Sequence, residues 1–200
     1  MCIGGTFGIK TDMTRPGDPY FFGYGSLVNR ATHAYPRAGR ARVTGWARIW
    51  RATTLRRVAY LSAIPTPGTV IEGLIAAVPG GDWAALDVRE QAYARHPLHR
   101  VDHDQPDAAD IMIYQVEPQH ISDGGEHPIL LSYLDCVVQG YLREFGDAGA
   151  ARFFETTTGW DMGLRDDRAA PQYPRAQTLT DRERGFVDAA LRDLGVPRSS

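Results

Sequence analysis

The chain has 200 residues, 43% of them hydrophobic and 23% charged, which is the composition of a soluble globular protein with a single domain. A net charge of −2 excludes a general electrostatic attraction to nucleic acid or to an anionic membrane, and no run of about eighteen apolar residues predicts a transmembrane helix. The cysteines, Cys2 and Cys136, are too few for a disulfide framework, and the N-terminal residues lack the pattern of a signal peptide, so we expect a cytoplasmic protein.

Short strands and one helix are predicted in the first half of the chain. Residues 1–18 are rich in Gly, Thr, Asp and Pro and are expected to form a loose lead-in. Aromatic and alternating stretches predict strands at 20–22, 43–53, 57–64, 70–78 and 110–116, with the turn Pro65–Gly68 between the third and the fourth. Asp82 is a suitable N-cap for a helix that starts at Trp83 and continues past Glu90.

Helices are predicted in the rest of the chain. The pair Ser132 and Asp135 resembles a capping box, and Thr180 and Glu183 form a second one. These signals predict helices at 132–145, at 148–156 and between Thr180 and Gly195, with a break at Gly146 and an irregular loop over 159–177. Strands first and helices last favour an α+β fold with one antiparallel or mixed sheet.

The helix that follows Asp82 carries one carboxylate on an otherwise apolar face. At about 3.6 residues per turn, this face holds Trp83, Leu86, Glu90 and Tyr93. Withdrawal from water raises the pKa of a carboxyl group, which suits Glu90 to act as a base and then as an acid. The alternative is that Glu90 only pairs with Arg89, Arg95 or another arginine at the edge of the core.

A glycine-flanked turn follows the first strand. Gly23 and Gly25 allow successive backbone N–H groups to converge on an anion or a carbonyl oxygen, and Tyr24 and Ser26 add hydroxyl groups. A tight turn without a site is the alternative, because Gly-x-Gly is common after strands. The turn is not a P-loop, since no Gly-Lys-Ser/Thr follows, and it lacks the glycine pattern of dinucleotide-binding folds.

Four separated segments together resemble the γ-glutamylcyclotransferase superfamily, in the order of that family's motifs. The segments are Phe22–Leu27, Gly45–Arg48, Glu72–Ala76 and Leu86–Glu90. The resemblance implies an α+β fold with a small mixed β-barrel-like sheet flanked by helices. We expect a single domain over 1–200, with a cyclotransferase-like core at 20–145 and a helical C-terminal extension at 146–200 packed on it.

The same resemblance implies an activity and its residues. Family members convert a γ-glutamyl amide into 5-oxoproline and a free amine, without a metal or a cofactor. The position of Glu90 matches the catalytic acid/base of the family. The substrate is expected to be held by Tyr24, Gly25, Ser26 and Leu27, with Tyr93 beside them. Leu27 is similar to the glutathione-degrading branch of the family, but the amine that is released stays open.

Three other interpretations remain open. If Met1 were removed, Cys2 would be an N-terminal nucleophile, as in a glutamine amidotransferase. The fold could also serve a non-catalytic domain that binds a small molecule or a protein. Spacing of three and four residues would allow His96, His99 and His103 to bind a metal, although a solvated surface loop is preferred there. The oligomeric state is not predicted.

Overall fold

The structure, a computed structural model, describes residues 15–199. In that range the α-helices are α1 (Ala84–Arg89), α2 (Leu131–Glu155) and α3 (Asp181–Asp193). The strands are β1 (Tyr20–Gly23), β2 (Gly39–Arg51), β3 (Tyr60–Ala77), β4 (Tyr93–Pro97), β5 (Val101–His103), β6 (Ile111–Val116), β7 (Ile129–Leu130), β8 (Thr157–Thr158), β9 (Leu164–Arg165) and β10 (Arg198–Ser199). Residues 1–14, which include Cys2 and most of the predicted lead-in, lie outside the described residues.

A mixed sheet flanked by helices organises the fold, as the α+β prediction expects. Its strands follow the order β4-β6-β1-β3-β2-β5, and β8 pairs with β2 off this path. β1 runs parallel to β6 and antiparallel to β3, and all four of its residues are buried. The sheet is open, which corrects the barrel-like expectation. Within residues 15–199, no ladder joins the edge strands β4 and β5, so the sheet does not close.

The long hairpin of β2 and β3 differs from the predicted pair of shorter strands. The prediction of two strands divided at Pro65–Gly68 is wrong, because β3 continues through this turn over 18 residues. The register shifts there: Trp46 is opposite Pro65, and Thr44 is opposite Val70. The turn is therefore an insertion within a continuous ladder, which lets β3 bend without ending.

The helical half confirms one capping box and corrects the other. Thr180 Oγ1 accepts a hydrogen bond from Glu183 N at 3.2 Å, and Thr180 N donates to Glu183 Oε2 at 2.8 Å. The predicted box at the start of α2 is wrong, because that helix already begins at Leu131. There Ser132 donates through N and Oγ to Asp167, at 2.8 and 2.6 Å. An aspartate distant in sequence has taken the capping role.

A backbone break at Gly146, where φ is 67°, interrupts α2 as the sequence predicts. Within residues 15–199, none of the helices combines the length and the apolar character needed to span a bilayer.

Helix α2 holds the segment after β1 through buried polar contacts. The hydroxyl oxygen of Tyr141 lies 2.9 Å from Tyr24 O and 2.7 Å from Glu72 O, so its single proton is shared between these two carbonyl acceptors. Arg48, 1% exposed, donates to the same hydroxyl at 2.9 Å. Nearer the N-terminus of α2, Cys136 O accepts a hydrogen bond from the side-chain amide of Asn29 at 2.9 Å. These contacts fix the position of the glycine turn relative to the helix.

Helix α2 approaches the backbone of this segment closely at Gly140. A Cβ atom there would lie 2.7 Å from Asn29 N and 2.9 Å from Asn29 Cα, which are backbone atoms that cannot rotate away. In contrast, a Cβ at Gly185, in α3, would meet no atom within 4 Å.

We therefore expect opposite effects from the same substitution in two helices. Gly140→Ala should lower the free energy of unfolding by about 2 kcal/mol, because the clash outweighs the gain in helix propensity. Gly185→Ala should raise it by up to about 1 kcal/mol, since only the propensity gain applies. Urea denaturation followed by circular dichroism measures both. A stabilised Gly140→Ala variant would contradict the close packing.

Candidate active site

The turn after β1 presents unpaired backbone donors beside a cavity. Ser26–Val28 form a single turn of 3₁₀ helix that follows Gly25. Val28 N donates to Gly25 O at 3.0 Å, whereas the amides of Gly25, Ser26 and Leu27 have no hydrogen-bond acceptor within residues 15–199. All these residues are buried. Buried N–H groups are nearly always paired, so these amides are candidates to bind a ligand oxygen.

Glycine at position 25 is required by space rather than by backbone conformation. Gly25 has φ −116° and ψ −130°, outside the left-handed region that only glycine adopts readily. A Cβ there would lie 2.7 Å from Tyr133 Oη and 3.4 Å from Leu61 Cδ2. Any larger side chain would therefore enter the space between the turn and Tyr133.

The segment Leu86–Glu90 covers the last part of α1 and its C-cap, and its side chains have different partners. Leu86 is buried, and Asp87 accepts a hydrogen bond from Tyr114 Oη at 2.7 Å. The helix ends at Arg89, and Glu90 caps it by donating its N–H to Leu86 O at 2.9 Å. The expectation that Glu90 and Tyr93 share one helical face is wrong, because Tyr93 already begins β4. The chain turns at Glu90, which places both residues beside the same cavity.

Arg89 links the candidate catalytic carboxylate to the glycine turn. Its Nε lies 3.1 Å from Glu90 Oε1, and both side chains are largely buried, with exposures of 8% and 16%. The same guanidinium donates to Ser26 Oγ at 3.0 Å and to Thr32 O at 3.0 Å. The sequence allowed Glu90 to pair with Arg89 or with Arg95. The structure shows the ion pair with Arg89, whereas Arg95 pairs with Asp87.

Burial raises the pKa of Glu90 above its ordinary value, and desolvation of the charged form is the largest cause. The positive charges of Arg89 and Arg175 act in the opposite direction. Glu90 is therefore a carboxyl group that holds a proton more readily than an exposed glutamate, with a guanidinium beside it that stabilises the ionised form. This balance suits a group that accepts a proton and returns it.

Glu90 lies where two cavities meet. The larger cavity, of about 240 Å³, opens between the ends of the sheet and the loop before α3. The smaller one, of about 30 Å³, is lined by the glycine turn and accommodates no more than one or two water-sized groups. Both cavities are lined by Ser26, Leu61, Glu90, Tyr93 and Tyr133. The smaller cavity therefore forms a deep recess at the inner end of the larger one.

The predicted substrate-binding residues all line this recess, but two of their hydroxyl groups have other partners. Tyr24 Oη donates to Tyr114 O at 2.6 Å, and Tyr93 Oη donates to Leu61 O at 3.0 Å. Leu27 adds an apolar wall, and Ser26 accepts from Arg89. The backbone of the turn, rather than the tyrosine hydroxyls, supplies the available donors.

Sequence reasoning missed several residues that line the cavity. Tyr133 comes from the start of α2, and its hydroxyl makes no hydrogen bond within residues 15–199. Tyr173 packs against Tyr133 with ring centroids 4.9 Å apart, and Arg56 and Arg175 also line the cavity. Only Arg89 had a local signal, its position next to Glu90. The others are distant in sequence from both motifs.

The metal alternative finds no site in the described part of the chain, whereas Cys2 lies outside it. His96 lies in β4 and His103 in β5, and His99 is exposed in the connection between them, so the expected surface loop is confirmed for His99 alone. Within residues 15–199, no group of His, Cys, Asp and Glu side chains could hold a metal ion. Burial raises the pKa of the Cys136 thiol to about 12, which keeps it protonated and unreactive.

Comparison with known proteins agrees with the motif order. The family model described as gamma-glutamyl cyclotransferase, AIG2-like, matches residues 21–135, more than half of the chain. The chain belongs to this family. No curated protein sequence matches it significantly.

Solved structures share the fold of this family member at low sequence identity. YkqA from Bacillus subtilis has a TM-score of 0.53 at 18% identity. The match covers 71% of this chain and only 56% of the length of YkqA. A protein described as gamma-glutamyl cyclotransferase has a TM-score of 0.51 at 12% identity, with coverage of 85% and 98%. The human uncharacterized protein loc79017 gives 0.51 at 13% identity, with coverage of 84% and 97%.

The pairing of Arg89 with Glu90 predicts a change in acidity. Arg89→Gln removes the nearest positive charge, so the carboxylate is less stabilised and the pKa of Glu90 should rise further. Arg89→Lys keeps the charge and should shift it less. A ¹³C NMR titration of the Glu90 carboxyl measures the change, with Arg95→Gln as the matched control, since Arg95 contacts Asp87. A lowered pKa in Arg89→Gln would contradict the geometry.

Proposed function

We propose that this protein is a γ-glutamyl cyclotransferase that releases 5-oxoproline and an amine from a small γ-glutamyl compound in the cytoplasm. The observation that supports this most directly is the position of Glu90, a buried carboxyl group with a raised pKa, beside a turn of unpaired amides. Family membership supports the reaction type.

In the proposed mechanism, Glu90 moves one proton twice. The neutral α-amino group of the substrate attacks the γ-carbonyl carbon of the same molecule, and Glu90, as a carboxylate, takes a proton from the attacking nitrogen as the new bond forms. A C–N bond forms in a five-membered ring, and the original amide C–N bond breaks. Glu90 returns the proton to the departing nitrogen. Because nucleophile and electrophile belong to one molecule, binding the substrate in the conformation that brings them together supplies much of the rate acceleration.

The glycine turn has the complementary role of binding oxygen. The amides of Gly25, Ser26 and Leu27 are available to the substrate carboxylate or to the oxyanion that develops on the γ-carbonyl. The recess of about 30 Å³ suits a single oxygen-bearing group rather than the whole substrate. Tyr133 adds a hydroxyl on the opposite wall.

Two other functions give different results in one assay. A non-catalytic binding domain would release no 5-oxoproline from any γ-glutamyl compound. An amidotransferase-like enzyme would depend on Cys2, so Cys2→Ala would abolish turnover. We expect purified wild-type protein and Cys2→Ala to release 5-oxoproline at equal rates, as measured by chromatography over a panel of γ-glutamyl amides.

Removal of the proton-carrying group should abolish the reaction. Glu90→Gln keeps the shape of the side chain but cannot transfer the proton, so kcat should fall about a hundred- to ten-thousand-fold. Glu126→Gln, at an exposed position, is the matched control. Circular dichroism confirms that both variants fold. Activity of Glu90→Gln within about tenfold of wild type would remove Glu90 from the mechanism.

Filling the recess should abolish binding. Gly25→Val places a branched side chain where Tyr133 Oη already lies 2.7 Å from the first added atom, so kcat/KM should fall about a hundredfold or more. Gly124→Val is the control, because a Cβ there meets no atom within 4 Å. Unchanged kcat and KM in Gly25→Val would exclude the turn as the substrate cradle.

A further inference from the structure

The outer part of the large cavity carries two further arginines, of which Arg175 also acts on Glu90 through its charge. Arg56 lies in an exposed loop between β2 and β3, and Arg175 lies, partly buried, in the loop before α3. Within residues 15–199, neither side chain forms an ion pair with a carboxylate. In contrast, Arg89 is occupied at the inner end by Glu90 and the glycine turn.

The loop that carries Arg175 is held firmly in place, although it lies beyond the residues matched by the family model. Asp167, 5% exposed, accepts hydrogen bonds from Ser132 N and Oγ and from Gln172 N, the last at 2.8 Å. Arg168 forms ion pairs with Asp135 at 2.7 Å and with Asp188 at 2.8 Å. This anchoring presents the following residues as a preformed wall of the cavity.

The direction of the substrate in the cavity follows from burial. The inner recess is lined by buried residues of the glycine turn, whereas Arg56, Gln91 and Pro174 at the other end are exposed. The γ-glutamyl group must reach Glu90, and its own carboxylate finds the amides of the turn at the inner end. The departing amine therefore points outward, toward Arg56 and Arg175.

We propose that Arg56 and Arg175 form a subsite for an anionic group on the amine side of the substrate, so that the released amine carries a carboxylate or a similar anion. This inference rests on the proposed function. Guanidinium groups bind such oxyanions with paired, charge-assisted hydrogen bonds, and both are available because neither forms an ion pair in the described part of the chain. An amine that is positively charged at this position meets two like charges, and a neutral one does not gain the charge-assisted hydrogen bonds.

The test uses γ-glutamyl compounds that differ mainly in charge on the amine side. We choose γ-glutamyl-glycine, γ-glutamyl-glycinamide, γ-glutamyl-ethylenediamine and γ-glutamyl-aminomethylphosphonate, and measure 5-oxoproline release by the full-length protein. We expect kcat/KM for the glycine compound to exceed that for its neutral amide about tenfold or more, and the cationic compound to react most slowly. Comparison of the carboxylate with the phosphonate shows which anion fits.

Variants assign the preference to the two arginines. Arg175→Gln should lower the ratio of kcat/KM for γ-glutamyl-glycine to kcat/KM for γ-glutamyl-glycinamide about tenfold, because the effect of Arg175 on Glu90 applies to both compounds alike. Arg56→Gln should lower the same ratio to a smaller extent, because Arg56 is more exposed. Arg57→Gln, an exposed neighbour outside the cavity, is the matched control. An equal loss for both compounds in Arg175→Gln would place Arg175 at the glutamyl carboxylate and overturn the proposal.

A calorimetric binding experiment separates this inference from the proposed function. If wild type releases 5-oxoproline but shows no preference for the anion, the function stands and the subsite is wrong. If no compound reacts, the function is wrong, and binding of γ-glutamyl-glycine and γ-glutamyl-glycinamide to the wild-type protein decides the subsite. The subsite is supported if γ-glutamyl-glycine binds more tightly than γ-glutamyl-glycinamide and if Arg175→Gln abolishes this difference. Equal binding of the two compounds to the wild-type protein overturns it.

Discussion

The contact between α2 and the segment after β1 is the constraint on which the candidate site depends. A strand that ends at the edge of a cavity does not by itself fix the direction of its backbone amides. Here the hydroxyl of Tyr141, itself contacted by the buried Arg48, holds Tyr24 O, and Gly140 allows the helix to approach the backbone of Asn29. With both sides of the turn held, the amides at its tip point at a fixed location, which a catalytic oxygen-binding site needs.

The proposed chemistry also depends on a balance between the burial of Glu90 and the positive charge beside it. Burial disfavours the ionised form of Glu90 and raises its pKa, which weakens its tendency to act as a base. Arg89 opposes this effect through its positive charge, and its hydrogen bonds to Ser26 and Thr32 hold the guanidinium in place. The same guanidinium therefore ties the position of the carboxyl group to the position of the turn.

Local sequence signals predicted the parts of the site, and long-range contacts decided how they assemble. The aromatic run of β1, the break at Gly146 and the capping box at Thr180 depend on neighbouring residues, and all are present in the structure. The cap that Asp167 provides and the approach of Arg175 to the cavity depend on residues far apart in sequence. No periodicity or spacing encodes such contacts. The nearness of Glu90 to the turn was predictable only through the resemblance to a family.

Intramolecular ring closure by a γ-glutamyl substrate is the central claim, and the fate of solvent oxygen tests it most directly. Purified protein is incubated with γ-glutamyl-glycine in water enriched in oxygen-18, and the products are analysed by mass spectrometry. Cyclisation predicts 5-oxoproline without the heavy isotope, since the amino group of the substrate displaces the amine. Glutamate that carries oxygen-18 would show hydrolysis by water instead and would contradict the account.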